Sequence, residues 1–345
     1  MTTDNSSDLR PGADWPRVSM VVLAFNQKNY IEDAIEGALL QNYANLEIVL
    51  SDDCSSDSTY DIMENVARKY RGPHRIVVNR TPQNAGILNH FYHAVAKSSG
   101  RLIVVAAGDD ISLPVRVSTL VGHWQATGAA ALSSDWFVMD DKGIVTGTRT
   151  CAADGNTEGR WFADGRFTRI CGATAAYDRS VFEEIALPDL GIMAEDYFFG
   201  LILHLRSMKI IQVAVPLVKY RSHAQSVINR PLVHGNILRE ERRLEVYWAM
   251  IARMFDYLVE LARTGVGVKP DFGKPADLRW QAIHAQMRDV RFRARWIDAP
   301  VWQRLVTLAR PPFNKVKFRW YGPRLGGIAT LRLQRWLSAA YRSLR

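Results

Sequence analysis

The feature that most constrains the fold is an alternation: between residues 18 and 107, short apolar runs take turns with stretches of helical periodicity. VSMVVLA (18–24), LEIVLS (46–51), RIVVN (75–79) and LIVVAA (102–107) are rich in β-branched residues, as strands buried on both faces are. Between them the spacing predicts helices over 31–41, 58–69 and 87–96. Ile31, Ile35, Ala38 and Leu39 recur at intervals that put them on one face of the first helix. Strands joined through helices run parallel with right-handed crossovers. The pattern therefore predicts a mostly parallel, Rossmann-like α/β sheet, a nucleotide-binding type of half-domain.

Downstream, AALSSDWFVMD reads as a strand, and 142–168 is rich in Gly, Thr and Asp and reads as loops. A strand near Cys171 to Tyr177, a helix from Arg179, a helix over AEDYFFGLILHL and a strand over KIIQVAVPLVKY follow. From about Pro231 the texture is helical: Leu244, Tyr247, Trp248, Ile251, Phe255 and Leu258 keep the spacing, and Gly265 ends that helix. Further helices are predicted over 276–297 and 328–344. The expected organisation is a disordered leader (1–16), a body (17–230) and a helical C-terminal region (231–345).

No apolar run approaches eighteen residues, so no membrane-spanning helix is expected. The polar, acidic start MTTDNSSDLRPGAD lacks the makings of a secretory signal. Cys54, Cys151 and Cys171 lie far apart without CxxC spacing, which argues against a disulfide framework or structural zinc and for a reduced, cytoplasmic setting. The net charge of +9 is local: ten of the 44 basic residues, and no acid, fall in 301–345, which leaves 34 basic against 35 acidic residues elsewhere. A neutral body argues against a nucleic-acid binder. In the last predicted helix Leu333, Trp336, Leu337, Ala340 and Leu344 share a face opposite Arg332, Arg335, Arg342 and Arg345. Such a helix suits an anionic membrane surface on the inner face, and equally a helix packed on the core with its basic side in water.

The fourth apolar run ends in Gly108, Asp109 and Asp110. Adjacent carboxylates repel unless a cation or strong donor sits between them. The pair is either a solvated turn or a divalent-metal site at the carboxyl edge of the sheet, where open α/β sheets bind ligands. The same edge receives Phe25 and Asn26 from the first strand, Asp52 and Asp53 in SDDCSSDST from the second, and Asn84 and Gly86 in TPQNAG after the third. Ser58 with Asp61 has the form of a helix start. Together these residues make a crevice for a nucleotide diphosphate. One carboxylate can accept a base imide N–H or a ribose hydroxyl, and the later pair can hold a hard cation against phosphate oxygens.

The stretch VSMVVLAFNQKNYIEDAIEGALLQNYANLEIVLSDDCSSDST resembles the opening of a family 2 glycosyltransferase of GT-A fold, and the resemblance runs to about residue 225. It implies an inverting enzyme with a nucleotide-diphospho-sugar donor, a glycan or lipid-linked glycan acceptor, and Mg²⁺ or Mn²⁺. On the nucleotide side it implies Ala24, Phe25 beside the base, Asn26, Asp53 as the base-binding aspartate, Asn84, Gly86 and Asp110. Asp109 takes the metal-binding place of the DXD motif. AED at 194–196 resembles the family's ED motif, so Asp196 is the implied catalytic base with Glu195 beside it; a carboxylate must take the acceptor's proton. Two acids in a first helical turn also suit the helix dipole alone. KYRSHAQS matches a Tyr-Arg-x-His pattern that implies Arg221 against the leaving diphosphate and His223 against phosphate or metal.

There are departures. Ala107 stands where many members carry an acid, and DDCSSD replaces the commoner DDGSTD. Trp136, Trp161, Phe162 and Tyr177 fall in the region expected to face the acceptor, although aromatics equally suit a core. A sugar nucleotidylyltransferase would need a glycine-rich loop after the first strand, and AFNQKNYIEDA has none; a dehydrogenase fails for the same lack. An inactive membrane-surface relative leaves the acids at successive strand ends without a use.

Overall fold

Strand β1 (Val18–Ala24) pairs in parallel with β2 (Leu46–Asp52) on one side and with β4 (Leu102–Ala107) on the other, and β3 (Arg75–Arg80) extends the parallel sheet beyond β2. The apolar runs are buried as their composition requires: Met20, Val22, Ile48, Leu50, Val104 and their neighbours form one core with Ile31, Ile35 and Ala38 of α1 (Ile31–Leu39). Each such Val, Leu, Ile or Met side chain contributes about 1.5–3 kcal/mol on burial. Helices α2 (Thr59–Lys69) and α3 (Gly86–Ala96) make the remaining crossovers. The computed structural model describes residues 15–151, 170–183, 195–206, 208–223, 237–264, 287, 291–300 and 302–303.

The rest of the nine-stranded sheet is mixed, in the order β3-β2-β1-β4-β8-β6-β9-β5. β8 (Ala175–Asp178) runs antiparallel to β4 and to β6 (Ala131–Met139), while β9 (Ile210–Arg221) runs parallel to β6. The β6–β9 ladder shifts register twice, on either side of Asp135, so that Ser134 faces Val213 while Trp136 faces Val218. Pro216 lies in this irregular stretch, where a missing N–H costs no regular ladder bond. β5 (Ile111–Ser112) pairs with the far end of β9. Helix α5 (Glu195–Leu205) precedes β9.

Several local expectations change. Residues 145–149, read as loop, form a fully exposed strand, β7 (Val145–Arg149), paired with β6. Residues after Pro114, where periodicity weakens, form α4 (Arg116–Thr127), ended by Gly128 at φ +59°. Arg179–Phe182 is a single 3-10 turn. Ser58 takes the N-cap place of α2, yet its φ and ψ of −77° and 13° leave its hydroxyl without a capping bond; Asp57 Oδ1 accepts the Thr59 N–H at 3.0 Å instead.

The chain divides into two compact units, residues 1–155 with 168–229 and residues 156–167 with 230–345. In the second, α6 (Ile237–Thr264) carries Arg242, which is paired with Asp298 through two contacts of 2.9 Å, and Glu245, which accepts the Ile297 N–H. No described helix is long and apolar enough to cross a membrane. Most of 276–297, all of 328–344 and residues 1–14 of the leader read as 1–16 lie outside the described residues.

Cys54 has φ +59°, a left-handed conformation that costs a side-chain-bearing residue about 1–2 kcal/mol. Replacing it with glycine relieves that strain and gives back part of it as entropy of the unfolded chain. Cys54→Gly is expected to raise the melting temperature by about 1–2 °C, as read by calorimetry; a fall would show that the thiol's contact with Pro82 outweighs the strain.

Candidate active site

The strand ends meet at the carboxyl edge where β1 lies between β2 and β4, the switch point of the parallel half. The Asp53 N–H donates to Ala24 O at 2.9 Å and the Gly108 N–H to Leu23 O at 2.8 Å, so the ladders hold to the last residue and fix the loops beyond them. Ala24 is buried, whereas the ring of Phe25 is 46% exposed and offers an aromatic face at the rim. Asn26, at φ +53°, accepts the Ser56 N–H on Oδ1 and donates its own N–H to Ser55 Oγ, which locks the first loop to the second.

Asp53 is buried and already engaged. Oδ1 accepts from Thr81 Oγ1 at 2.9 Å and from the Ala85 N–H at 2.8 Å, and Oδ2 accepts from the Gly86 N–H at 3.0 Å. The side chain of Asn84 reaches the Asp53 carbonyl at 3.5 Å. Gly86 has φ +75°, which explains the glycine at this start of α3. The structure thus brings Asp53, Asn84 and Gly86 together. A carboxylate offers about four lone-pair sites, and three are used within the chain, which leaves one, on Oδ2, for a ligand N–H.

Asp109 and Asp110 diverge after Gly108. Asp109 Oδ2 lies 3.0 Å from His223 Nε2, and the His223 ring packs on Tyr30 at 4.7 Å. Asp110 turns inward: Oδ1 accepts the Arg221 N–H at 2.8 Å, while Oδ2 is buried without a hydrogen-bond partner. Burial, with the charge of Asp109 added, pushes the Asp110 carboxyl well above the usual range. Among the described residues no three His, Cys, Asp or Glu side chains are grouped to hold a metal ion by themselves. Asp109 and His223 nonetheless fit a hard cation that draws its other oxygens from a ligand, since Mg²⁺ typically takes one or two carboxylates plus substrate phosphates.

Arg221, expected at a diphosphate, is buried and spent largely on the chain itself. Its guanidinium donates to Asp33 Oδ2 at 2.8 Å, to Asp109 O at 2.9 Å and to Asp141 O at 3.2 Å, with its CZ 4.9 Å from the centre of the Tyr30 ring. It ties the end of β9 to the end of β4.

On the other side of the site, α5 opens with Glu195 and Asp196. Asp196 Oδ2 accepts the Gly172 N–H at 3.1 Å and Oδ1 the Tyr197 N–H at 2.7 Å, an arrangement suited to a carboxylate. Burial, then the neighbouring charge of Asp196, pushes Glu195 up to about 8. A Cβ on Gly172, at the start of the 3-10 turn Gly172–Thr174, would stand 2.2 Å from Glu195 Oε1, so any larger residue there would push the Glu195 carboxyl aside. Burial pushes the Cys171 thiol up to about 12, with Asp196, Cys151 and Asp110 adding to it. The Tyr220 hydroxyl is raised by burial and by Asp110, Asp109 and Asp196 as well. The strand-end aspartates and the α5 acids therefore share one electrostatic neighbourhood.

Tyr177 is fully buried among Phe91, Phe182 and Phe199, a core residue rather than part of an acceptor wall. Trp136 is half-buried on β6, and Trp161 and Phe162 lie outside the described residues. Thr81, Gly172, Tyr30 and Arg116 escape sequence reading; of these only Gly172, next to a cysteine at the start of a predicted strand, carries a local signal.

A sequence profile for the family described as glycosyl transferase family 2 matches residues 19–186. A UDP-Glc:alpha-D-GlcNAc-diphosphoundecaprenol beta-1,3-glucosyltransferase of Escherichia coli is 26% identical over 210 residues, covering 61% of this chain and 79% of that protein. The mannosyltransferase PcManGT from Pyrobaculum calidifontis, solved in complex with GDP-Man and Mn²⁺, superposes with a TM-score of 0.54 at 17% identity over 93% of this chain and 87% of its own. S. aureus TarS 1–349 in complex with UDP-GlcNAc gives a TM-score of 0.50 at 15% identity, covering 85% and 84%. These structural likenesses establish the fold.

Proposed function

From a chain that belongs to glycosyl transferase family 2 and has the GT-A fold, we propose a divalent-metal-dependent, inverting transfer of a sugar from a nucleotide diphosphate to a hydroxyl of a lipid-linked glycan. The observation that carries this reading is that two acid sets, Asp109 with His223 at the strand ends and Asp196 with Glu195 at the start of α5, lie near enough for Asp109 and Asp196 both to raise the buried Tyr220 hydroxyl.

On the donor side, Phe25 offers its exposed ring to the base, and Asp53 offers its remaining lone pair to an imide N–H or ribose hydroxyl. Asp109 and His223 would hold Mg²⁺ or Mn²⁺, which as a Lewis acid would stabilise a diphosphate leaving group. Asp110, with one buried oxygen unfilled, orients the Asp109 turn and the end of β9. Arg221 serves through Asp33 and the Asp109 carbonyl to keep that turn in place.

On the acceptor side, Asp196 takes the hydroxyl proton as the oxygen attacks the anomeric carbon from the face opposite the diphosphate. General base catalysis of this kind contributes typically about 10²–10⁴-fold. Glu195, held protonated up to about pH 8, keeps a second negative charge from competing for the same proton.

The lipid-linked acceptor is supported by the E. coli relative, whose name specifies a diphosphoundecaprenol substrate. It fits a body of residues 17–230 on the cytoplasmic face of a membrane, with the basic stretch 301–345 as the surface contact at about 1 kcal/mol per basic residue. The test is a screen of UDP-glucose, UDP-GlcNAc and GDP-mannose with an undecaprenyl-diphosphate sugar acceptor, with Mn²⁺, Mg²⁺ or EDTA. Release of nucleoside diphosphate that requires both cation and acceptor is expected with at least one donor. Release indifferent to EDTA would overturn the metal assignment.

A further inference from the structure

We propose that Arg116 is a positioning residue that sets the spacing between the donor aspartates and the catalytic base. The inference rests on the assignment of Asp109 and Asp196 made above and adds a residue that touches neither substrate.

The antiparallel ladder between β4 and β8 covers Leu102↔Asp178, Ile103↔Tyr177 and Val104↔Ala176, and ends there. One residue further along β4, the Val105 carbonyl needs a donor, and no described strand continues the ladder to supply it. Arg116, from the first turn of α4 and 1% exposed, fills the gap. Its Nη2 donates to Val105 O at 2.6 Å and to Ala173 O at 3.1 Å, and its Nη1 donates to Ser112 Oγ at 2.9 Å. One guanidinium thus splints three segments: β4 four residues before Asp109, β5 just after Asp110, and the 3-10 turn whose Gly172 N–H holds Asp196. The turn is pinned on its other side by Ser133, whose Oγ meets Thr174 Oγ1 at 2.9 Å and accepts the Cys171 N–H at 3.1 Å.

A buried cation is costly and is kept only where its geometry is used. Burial lowers Arg116 to about 10, opposed by the nearby charge of Asp110. Only the planar fork of arginine spans three acceptors in fixed directions; lysine brings the charge without the span. A displacement of about 1 Å between reacting groups can cost about 10²-fold in rate, which is the scale at which such a splint matters.

The experiment compares Arg116→Lys with the parent in the full chain, using UDP-glucose, UDP-GlcNAc and GDP-mannose as donors with Mn²⁺ and the acceptor named above. For whichever donor the parent turns over, kcat is expected to fall by about 10–100-fold while the donor KM stays within about threefold, because none of the three Arg116 hydrogen bonds reaches the loops of Phe25, Asp53 and Asn84. A second reading does not depend on activity. The parent's Cys171 thiol is expected to be alkylated slowly by iodoacetamide at pH 8, and the variant's at least about tenfold faster, located by peptide mass spectrometry, as the loosened turn admits water and frees the thiolate. Unchanged kcat with unchanged Cys171 protection overturns the proposal, as does a parallel collapse of kcat and donor KM. If Arg116→Lys does not fold, Ser112→Ala, which removes one of the three acceptors, must show the same kcat-selective loss on a smaller scale or the proposal fails. A parent that turns over none of the donors speaks against the proposed activity instead, and Cys171 reactivity then decides the role of Arg116.

Discussion

Asp109→Ala should abolish metal-dependent release of nucleoside diphosphate, with a fall of about 10³-fold or more. Lewis-acid stabilisation of a leaving phosphate is worth several kcal/mol, and each 1.36 kcal/mol is about tenfold in rate. Removing the carboxylate leaves His223 as the one remaining side chain of the contact at 3.0 Å, too little to retain a hard cation. The loss should appear in two independent measurements: turnover of the donor found in the screen, and Mn²⁺ affinity in the presence of the nucleoside diphosphate by titration calorimetry. The fold should survive, since Asp109 Oδ2 faces His223 and the core lies behind Gly108. Full Mn²⁺ affinity in the variant would remove Asp109 from the cation site.

Asp196→Asn keeps the size of the side chain and one of its two backbone contacts, since the amide nitrogen cannot accept the second N–H, and it deprives the acceptor hydroxyl of a proton sink. Turnover should drop by about 10²–10⁴-fold with donor affinity unchanged within about twofold, because the loops proposed to hold the nucleotide follow β1, β2, β3 and β4. The loss should be in kcat and kcat/KM alike, the mark of an interaction made in the transition state. Asparagine in this place also removes the charge that helps to raise Glu195, so the Glu195 carboxyl should move back toward its ordinary range. Should the Asp196→Asn enzyme retain parental turnover, the base lies elsewhere and the acids of α5 serve the helix end alone.

The proposed donor half of this site is legible in the sequence because its residues follow their own strands. A period-two or continuous apolar run announces the strand, and whatever comes next must sit at the carboxyl edge; Phe25, Asp53 and Asp109 are found this way. The acceptor half is assembled from residues distant in the chain. The turn at Gly172, the start of α5 and the end of β9 meet only through a mixed ladder, and no local periodicity encodes which carbonyl lacks a donor. Arg116 is hidden for the same reason: a buried arginine breaks the apolar pattern that would have marked α4. The engagement of Asp53 and Arg221 within the chain is likewise a property of three-dimensional neighbours. A motif shows that a carboxylate or guanidinium is present but not how many of its bonds are already spent. Cys54 is the reverse case, since the departure from the glycine-bearing pattern was visible and the left-handed backbone explains why glycine is the ordinary choice there.

The double irregularity between β6 and β9 makes one part of the chain a counted length. From Ser134 to Trp136 the first strand advances two residues, while from Val213 to Val218 the second advances five. The surplus is odd, and side chains alternate faces with every residue. Deleting or inserting a single residue there would turn the far end of β9 upside down, carrying Arg221 and His223 away from the aspartates they meet. Loop insertions elsewhere on the surface can be absorbed at little cost; here the spacing itself is part of the site.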